Sequence, residues 1–299
     1  MITVGWILNL DADLELADPS GFTPTRRLTQ QSKVLADRLL IAANAADQRV
    51  RHIRLAPGDH PTTCQAWCAT PRAHAAARAI GHELPATPPL PVLQKVNHRA
   101  FAAGFSPGLP GAAFVTSTQE LDALMQTATP EHGWLLKRPF GFSGRGQKRV
   151  SAVPTGRDRR WVEASMVEYG CGLMVEPFVA IDQEFALHSW LDKDGVCLTG
   201  QPTRLITDEL GAWLGNEPGP ALHDQEREQL HAAHAVAARA LSAAGFFGPF
   251  ATDAFRYRTD DGRVHFHALS ELNARYSMGF FVGLADCLEE WARRVAAQV

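Results

Sequence analysis

FATDAFRYRTDDGRVHFHALSELNARYSMG, the run from Phe250 to Gly279, decides how this chain is read. Ala251 to Arg258 is rich in β-formers, Asp260-Asp261-Gly262 is turn chemistry that joins antiparallel strands, and Val264 to Asn273 resumes an extended pattern. Side chains two apart on a strand share a face, so Glu271 and Asn273 point the same way while Leu272 enters the opposite layer. Asp253, on the first strand, comes within reach of both in a simple register. Two carboxylates and an amide oxygen are hard donors suited to Mg²⁺, which keeps some of its waters and shares phosphate oxygens with a substrate. An edge hairpin with its polar residues in water carries the same pattern, so the remaining chain has to arbitrate.

Composition excludes more than it chooses. A chain of 299 residues with 45% hydrophobic content can bury a sizeable core and hold two or three lobes. A net charge of -3 gives no electrostatic argument for nucleic acid or an anionic membrane. The opening apolar run is broken by Asp11, Asp13 and Glu15, which reads as a first strand and not a signal peptide. No apolar run approaches the roughly 20 residues of a spanning helix. Five cysteines, an odd number with no secretory signal, fit reduced thiols and a cytoplasmic protein.

Taken outward from the hairpin, the chain alternates strand and helix signals. Ile2 to Leu10 reads as a strand, Thr25 to Ala46 as a helix, and Arg49 to Leu55 as a second strand; Pro57 to Pro71 is turn-rich. His60, Cys64 and Cys68 match no common zinc spacing and read as a loop with buried thiols. Pro85 to Pro91 is a stiff connector, followed by a helix-like Val92 to Phe101. Gly133 to Lys137 is a strand, Gly141-Phe-Ser-Gly-Arg-Gly146 a glycine-rich loop, and Lys148 to Val153 a second strand. Such a loop turns backbone N–H groups around an anion, and the lysine at the strand end adds a fixed charge. It is neither G-x-x-x-x-G-K-[ST] nor G-x-G-x-x-G. The chain has only five lysines against 24 arginines, and Lys137 and Lys148 both flank this loop. Leu173 to Val179 is a buried strand carrying Glu176, Gln183 to Leu191 another, Leu205 to Pro220 an exposed loop, and Gln225 to Ala244 a long helix capped by Asp224.

In this order the elements resemble the ATP-grasp superfamily, and the resemblance covers nearly the whole chain. It implies an α+β fold: a small α/β lobe over residues 1–91, then two α+β lobes, 92–172 and 173–299, clamping ATP. In that resemblance Lys95 and Lys137 are the nucleotide lysines, with Gly141, Ser143, Gly144, Arg145 and Gly146 over the phosphates. Glu176, Pro177, Phe178 and Val179 form the hinge on the adenine edge, and Glu184 takes the ribose hydroxyls. Asp253, Glu271 and Asn273 hold Mg²⁺, with two ions expected and Mn²⁺ as a substitute, while Arg275 of E-x-N-x-R faces the transferred phosphate. Two departures stand out. The eight-residue interval from Glu176 to Glu184 leaves open which acid meets the ribose, and Ala251 occupies a place where some relatives carry an arginine, for which Arg204 is the replacement expected.

The implied activity is ATP-dependent ligation of a carboxylate to an amine through an acyl phosphate, by a monomer or homodimer acting on small molecules. Asn9, Asp11, Asp13 and the Leu205 to Pro220 loop are the substrate-side candidates. A nucleotide-binding regulator on the same fold, or a metal-dependent hydrolase built on His265, His267 and Glu271, are the competing readings.

Overall fold

In the computed structural model the described residues are 1–127, 130–141, 146–168, 172–207, 213–219, 221–259 and 261–297. Three sheets organise them. The first sheet is parallel, β2-β1-β3, from β1 (Ile2–Ile7), β2 (Val50–Arg54) and β3 (Thr63–Ala66). β3 lies inside the stretch that reads as turns, because four residues buried on both faces carry no alternation to detect. A second, antiparallel sheet has the order β4-β7-β5-β6, from β4 (Ala113–Val115), β5 (Trp134–Lys137), β6 (Gln147–Val150) and β7 (Leu173–Pro177).

The third sheet runs β11-β10-β8-β12-β13, with β9 added beside β8. Its strands are β8 (Ala180–Leu191), β9 (Cys197–Thr199), β10 (Thr203–Thr207), β11 (Trp213–Pro218), β12 (Gly248–Arg258) and β13 (Val264–Asn273). The segment expected as an exposed loop is therefore the antiparallel pair β10–β11, with residues 208–212 and 220 outside the described set. Its glycine and proline content signals a break, yet Trp213 and Leu214 alternate well enough for an edge strand. The helix-like 92–101 stretch is two helices, Leu90–Asn97 and Arg99–Ala103, parted at His98.

The helix Asp224–Ala243 covers one face of the third sheet, where Phe185, Leu187, Leu222, Leu230 and Ala254 form a core. Its cap is His223, one residue before the expected Asp224, with Glu226 returning a bond to the His223 N–H at 2.9 Å. The other face meets the first sheet. Val4, Trp6, Leu10 and Leu39 share one core with Trp190, Tyr276, Phe280 and Trp291, and the terminal helix Leu288–Ala296 stacks Trp291 on Trp6 at 6.1 Å. Because the first and last parts of the chain bury the same apolar surface, the wall they form against the third sheet is held in place by the hydrophobic effect.

Candidate active site

The hairpin has the register the sequence argument needs: Asp253 pairs with Glu271, and Ala251 with Asn273. A bulge follows, so that Phe255 pairs with His267 and β13 carries two extra residues against β12. On the other side β12 pairs with β8, Asp253 opposite Ala186, Phe255 opposite Glu184 and Ala251 opposite His188. Glu184, Asp253, Glu271 and Asn273 thus project from one face of three adjacent strands. They line a cleft of about 310 Å³ together with Arg99, Gly141, His188 and Arg275.

Electrostatics at this face is dominated by three facing carboxylates. Burial and then the charges of Glu271 and Glu184 push the Asp253 carboxyl up to about 7, against the bond it accepts from Asn273 Nδ2 at 2.8 Å. Burial and Glu271 likewise raise Glu184. Glu271 goes the other way: burial alone would raise it, but Arg99, Lys137 and Arg275 together hold it below the usual carboxylate range. Among the described residues no three His, Cys, Asp or Glu groups form a ready-made cage. Two carboxylates and an amide oxygen nevertheless suit a hard cation that retains water, and the mutual repulsion recorded in Asp253 is what such a cation relieves.

Cations from elsewhere close on these acids. Arg99 reaches Glu271 at 3.1 Å and is fixed by two further bonds, its Nε to the Arg138 carbonyl at 3.0 Å and its N–H to that of Pro139 at 3.1 Å. Asn97 ties the preceding helix to the end of β13 by exchanging bonds with Ala274, at 3.0 and 3.2 Å. Arg275 is held by Asp13 through a two-pronged pair, Nε to both oxygens at 3.0 Å and Nη2 to Oδ2 at 2.6 Å. Both side chains are nearly enclosed, 13% and 7% exposed, so the pair ties the short helix after β1, Ala12–Ala17, to the chain just past β13 under low solvent screening. Lys137, at the end of β5, pairs with Glu176 of β7 at 2.6 Å.

The remaining candidates sort cleanly. Glu176 lines a smaller cavity of about 50 Å³ with His98, Met174 and His267, whereas Glu184 lines the cleft beside Asp253. Phe178 lies under the Arg149 guanidinium at 3.9 Å. Gly141 lines both spaces; Gly146 has φ +79 and its carbonyl accepts from the Arg138 N–H at 2.8 Å, closing the β5–β6 loop. Ser143, Gly144 and Arg145 lie outside the described residues.

Lys95 is exposed and lines neither cavity; Arg99, four residues on and past the break at His98, is the cation brought to the acids. Arg204 also fails to reach the site. It pairs with Phe185, whose side chain is in the helix-covered core, so period-two alternation sends the guanidinium to the wrong face, where it bonds Glu217 of β11. Asn9 and Asp11 are spent internally, Asn9 on Cys68 and Thr70, Asp11 on Arg72. Asp13, their neighbour, is the one that reaches the site. His265 stacks on Tyr257 at 5.4 Å and His267 meets Phe255 edge-on at 5.1 Å, so both rings pack against β12. Arg99 is not among the residues the sequence pattern singles out, although a cation in the first turn of a helix opposes the dipole and so calls for a partner elsewhere.

The three-sheet arrangement matches solved structures along the whole chain. The biotin carboxylase of Campylobacter jejuni superposes with a TM-score of 0.58 at 13% identity, over 99% of this chain and 71% of its own. The biotin carboxylase domain of the Hydrogenobacter thermophilus 2-oxoglutarate carboxylase, solved with MgADP and bicarbonate, gives 0.56 at 14% over 99% and 69%. D-alanyl-alanine synthetase A of Vibrio cholerae gives 0.55 at 11% over 100% and 99%. The chain has the ATP-grasp fold. No protein-family model and no curated protein sequence matches it. Within the ATP-grasp fold, the cleft between the hairpin and the first sheet is where the charged groups converge. No helix among the described residues is long and apolar enough to cross a membrane.

Proposed function

We propose that the protein is an ATP-dependent ligase that activates a carboxylate as an acyl phosphate for attack by an amine. What carries this reading is the convergence of Asp253, Glu271 and Asn273 from the third sheet with Arg275 and Arg99, in a cleft to which Glu184 adds a further carboxylate. In this reading Asp253, Glu271 and Asn273 hold two Mg²⁺ ions, which neutralise phosphate charge when bound. Lys137, Glu184, Glu176 and the 141–146 loop face the nucleotide, with Pro177 to Val179 as hinge, and residues 1–91, 92–172 and 173–299 act as the three lobes.

A carboxylate oxygen of the acid attacks the γ-phosphorus, the bond to the β,γ-bridging oxygen breaks, and ADP leaves with that electron pair. The amine nitrogen then attacks the acyl carbon, the carbon–oxygen bond to phosphate breaks, and phosphate and one proton depart. Little covalent help is needed, and fixed charges supply most of the effect. Arg275, immobilised by Asp13, holds the transferred group in line. Incubation with Mg²⁺, ATP and a panel of acids and amines is expected to release ADP and phosphate in step with amide; release of AMP and pyrophosphate instead overturns the mechanism.

A further inference from the structure

The cleft is lined by two kinds of side chain. Its charged residues, among those described, are Arg99, Glu184, Asp253, Glu271 and Arg275. Its apolar wall is made by Leu10, Leu35 and Trp67 from the first part of the chain and by Leu205, Trp213 and Met278 from the third sheet and the turn after it, with the Arg275 guanidinium 6.0 Å from the Trp67 ring. His188 and Ser277 line it too, polar residues whose bonding is turned inward. Ser277 Oγ meets His188 Nδ1 at 2.9 Å, Thr203 Oγ1 meets Nε2 at 3.3 Å, Asn216 Nδ2 donates to Thr203 Oγ1 at 3.1 Å, and Trp213 Nε1 donates to Asn216 Oδ1 at 2.8 Å. Among the described residues the closed chain leaves this wall without a free charge, and burial keeps the imidazole itself neutral.

Close packing maintains the arrangement. A Cβ at Gly279 would stand 2.5 Å from Asn216 Nδ2 and 2.7 Å from His188 Nε2, and one at Gly283 would stand 2.5 Å from His188 Cδ2. The turn after β13 is therefore pressed onto the polar chain and seals it. Both cations of the cleft are already partnered, Arg275 by Asp13 and Arg99 by Glu271. A second charge on a bound acid would face none of the opposite sign among the described residues of this wall, and burying it unpaired is expensive.

We propose that the acid activated here is a monocarboxylate with an uncharged, largely apolar body, of aromatic or branched aliphatic type, packed against Leu10, Leu35, Trp67, Trp213 and Met278. This rests on the ligase reading, since it takes the carboxylate end of the substrate to lie beside Arg275. The test is equilibrium titration of the full chain with Mg²⁺ and a non-hydrolysable ATP analogue, first alone and then with 3-phenylpropanoate, 4-methylpentanoate, glutarate or 6-aminohexanoate, without any amine. The two apolar acids are expected to bind at least tenfold more tightly than the two that carry a second charge. Equal or tighter binding of glutarate or 6-aminohexanoate, or no binding of any acid to the nucleotide complex, overturns the proposal while leaving nucleotide binding intact. Failure of the nucleotide analogue to bind overturns the ligase reading itself. Met278→Lys, which adds a cation to the wall, is expected to narrow the preference against glutarate by about tenfold; an unchanged ratio with nucleotide binding preserved removes Met278 from the acid's surroundings and overturns the wall assignment.

Discussion

The two faces of the third sheet are made from alternate residues of the same strands. On β8, Phe185 and Leu187 enter the core under the helix Asp224–Ala243, while Glu184 and His188 face the cleft. On β12, Ala254 packs in that core and Asp253 one residue earlier lines the cleft. Both faces enclose a neutral histidine with both ring nitrogens occupied: His188 on the cleft side, and His234 against the other, between Ser189 at 2.6 Å and Thr252 at 2.7 Å. The difference lies in the carboxylates. The covered face balances its polar groups within the protein, whereas the cleft face leaves Asp253 and Glu184 repelling Glu271, a state that needs a ligand to relieve it.

The largest expected effect separates the faces by function. Asp253→Asn and Glu271→Gln should each lower turnover by on the order of 10²–10³, as loss of a preorganised electrostatic contact does. Circular dichroism should remain that of the folded protein; normal turnover in both variants removes these residues from the site. Next comes the Asp13–Arg275 latch. Asp13→Ala leaves Arg275 buried and unpaired, which should cost about 3–5 kcal/mol in denaturant titrations. Asp13→Glu should recover much of that stability, and a loss below about 1 kcal/mol for the alanine variant would mean the pair is open to water.

On the covered face the effect should be purely structural. Leu187→Ala is expected to cost about 2–5 kcal/mol with kcat unchanged below its melting temperature. A smaller contrast appears with pH. His188, His234 and His52 are held by burial at about 3, 3 and 4, while unfolded imidazoles protonate near 6.5. Their contribution is complete above pH 6.5 and drains away as pH falls toward 4 and below. Urea titrations from pH 7 to pH 4 should show stability falling steadily, and His234→Gln should flatten the curve; a parallel curve would exclude His234 from the effect.

The smallest expected effect runs in the opposite sense and belongs to the cleft alone. In metal-free protein the folded state holds the Asp253 proton up to about 7, well above the usual 3.8. The resulting penalty is absent at low pH and fully present above pH 7. Asp253→Asn should therefore raise the melting temperature in EDTA at pH 8 by a few degrees, at about 2–4 °C per kcal/mol. Its melting temperature at pH 5 should differ less, and an equal shift at both pH values would exclude carboxylate repulsion as the cause.

The sequence by itself determined the hairpin, because period-two alternation and turn residues act locally: Asp253, Glu271 and Asn273 were legible as one set before any strand was paired. It also placed the glycine-rich loop between two strands and the long helix before the hairpin. Only the tertiary structure decided which cations serve that set. Lys95 and Arg99 lie four residues apart with the same charge, on either side of the break at His98, and what separates them is the anchoring of Arg99 to the carbonyls of Arg138 and Pro139, some forty residues away. Arg204 is close to the site along the chain, but its face is fixed by pairing with Phe185. The Asp13–Arg275 pair joins positions 262 residues apart and exists because the first sheet and the hairpin bury a common core. Local spacing fixes what a strand presents, whereas the partner it meets depends on which apolar surfaces fold together, and that is a property of the whole chain.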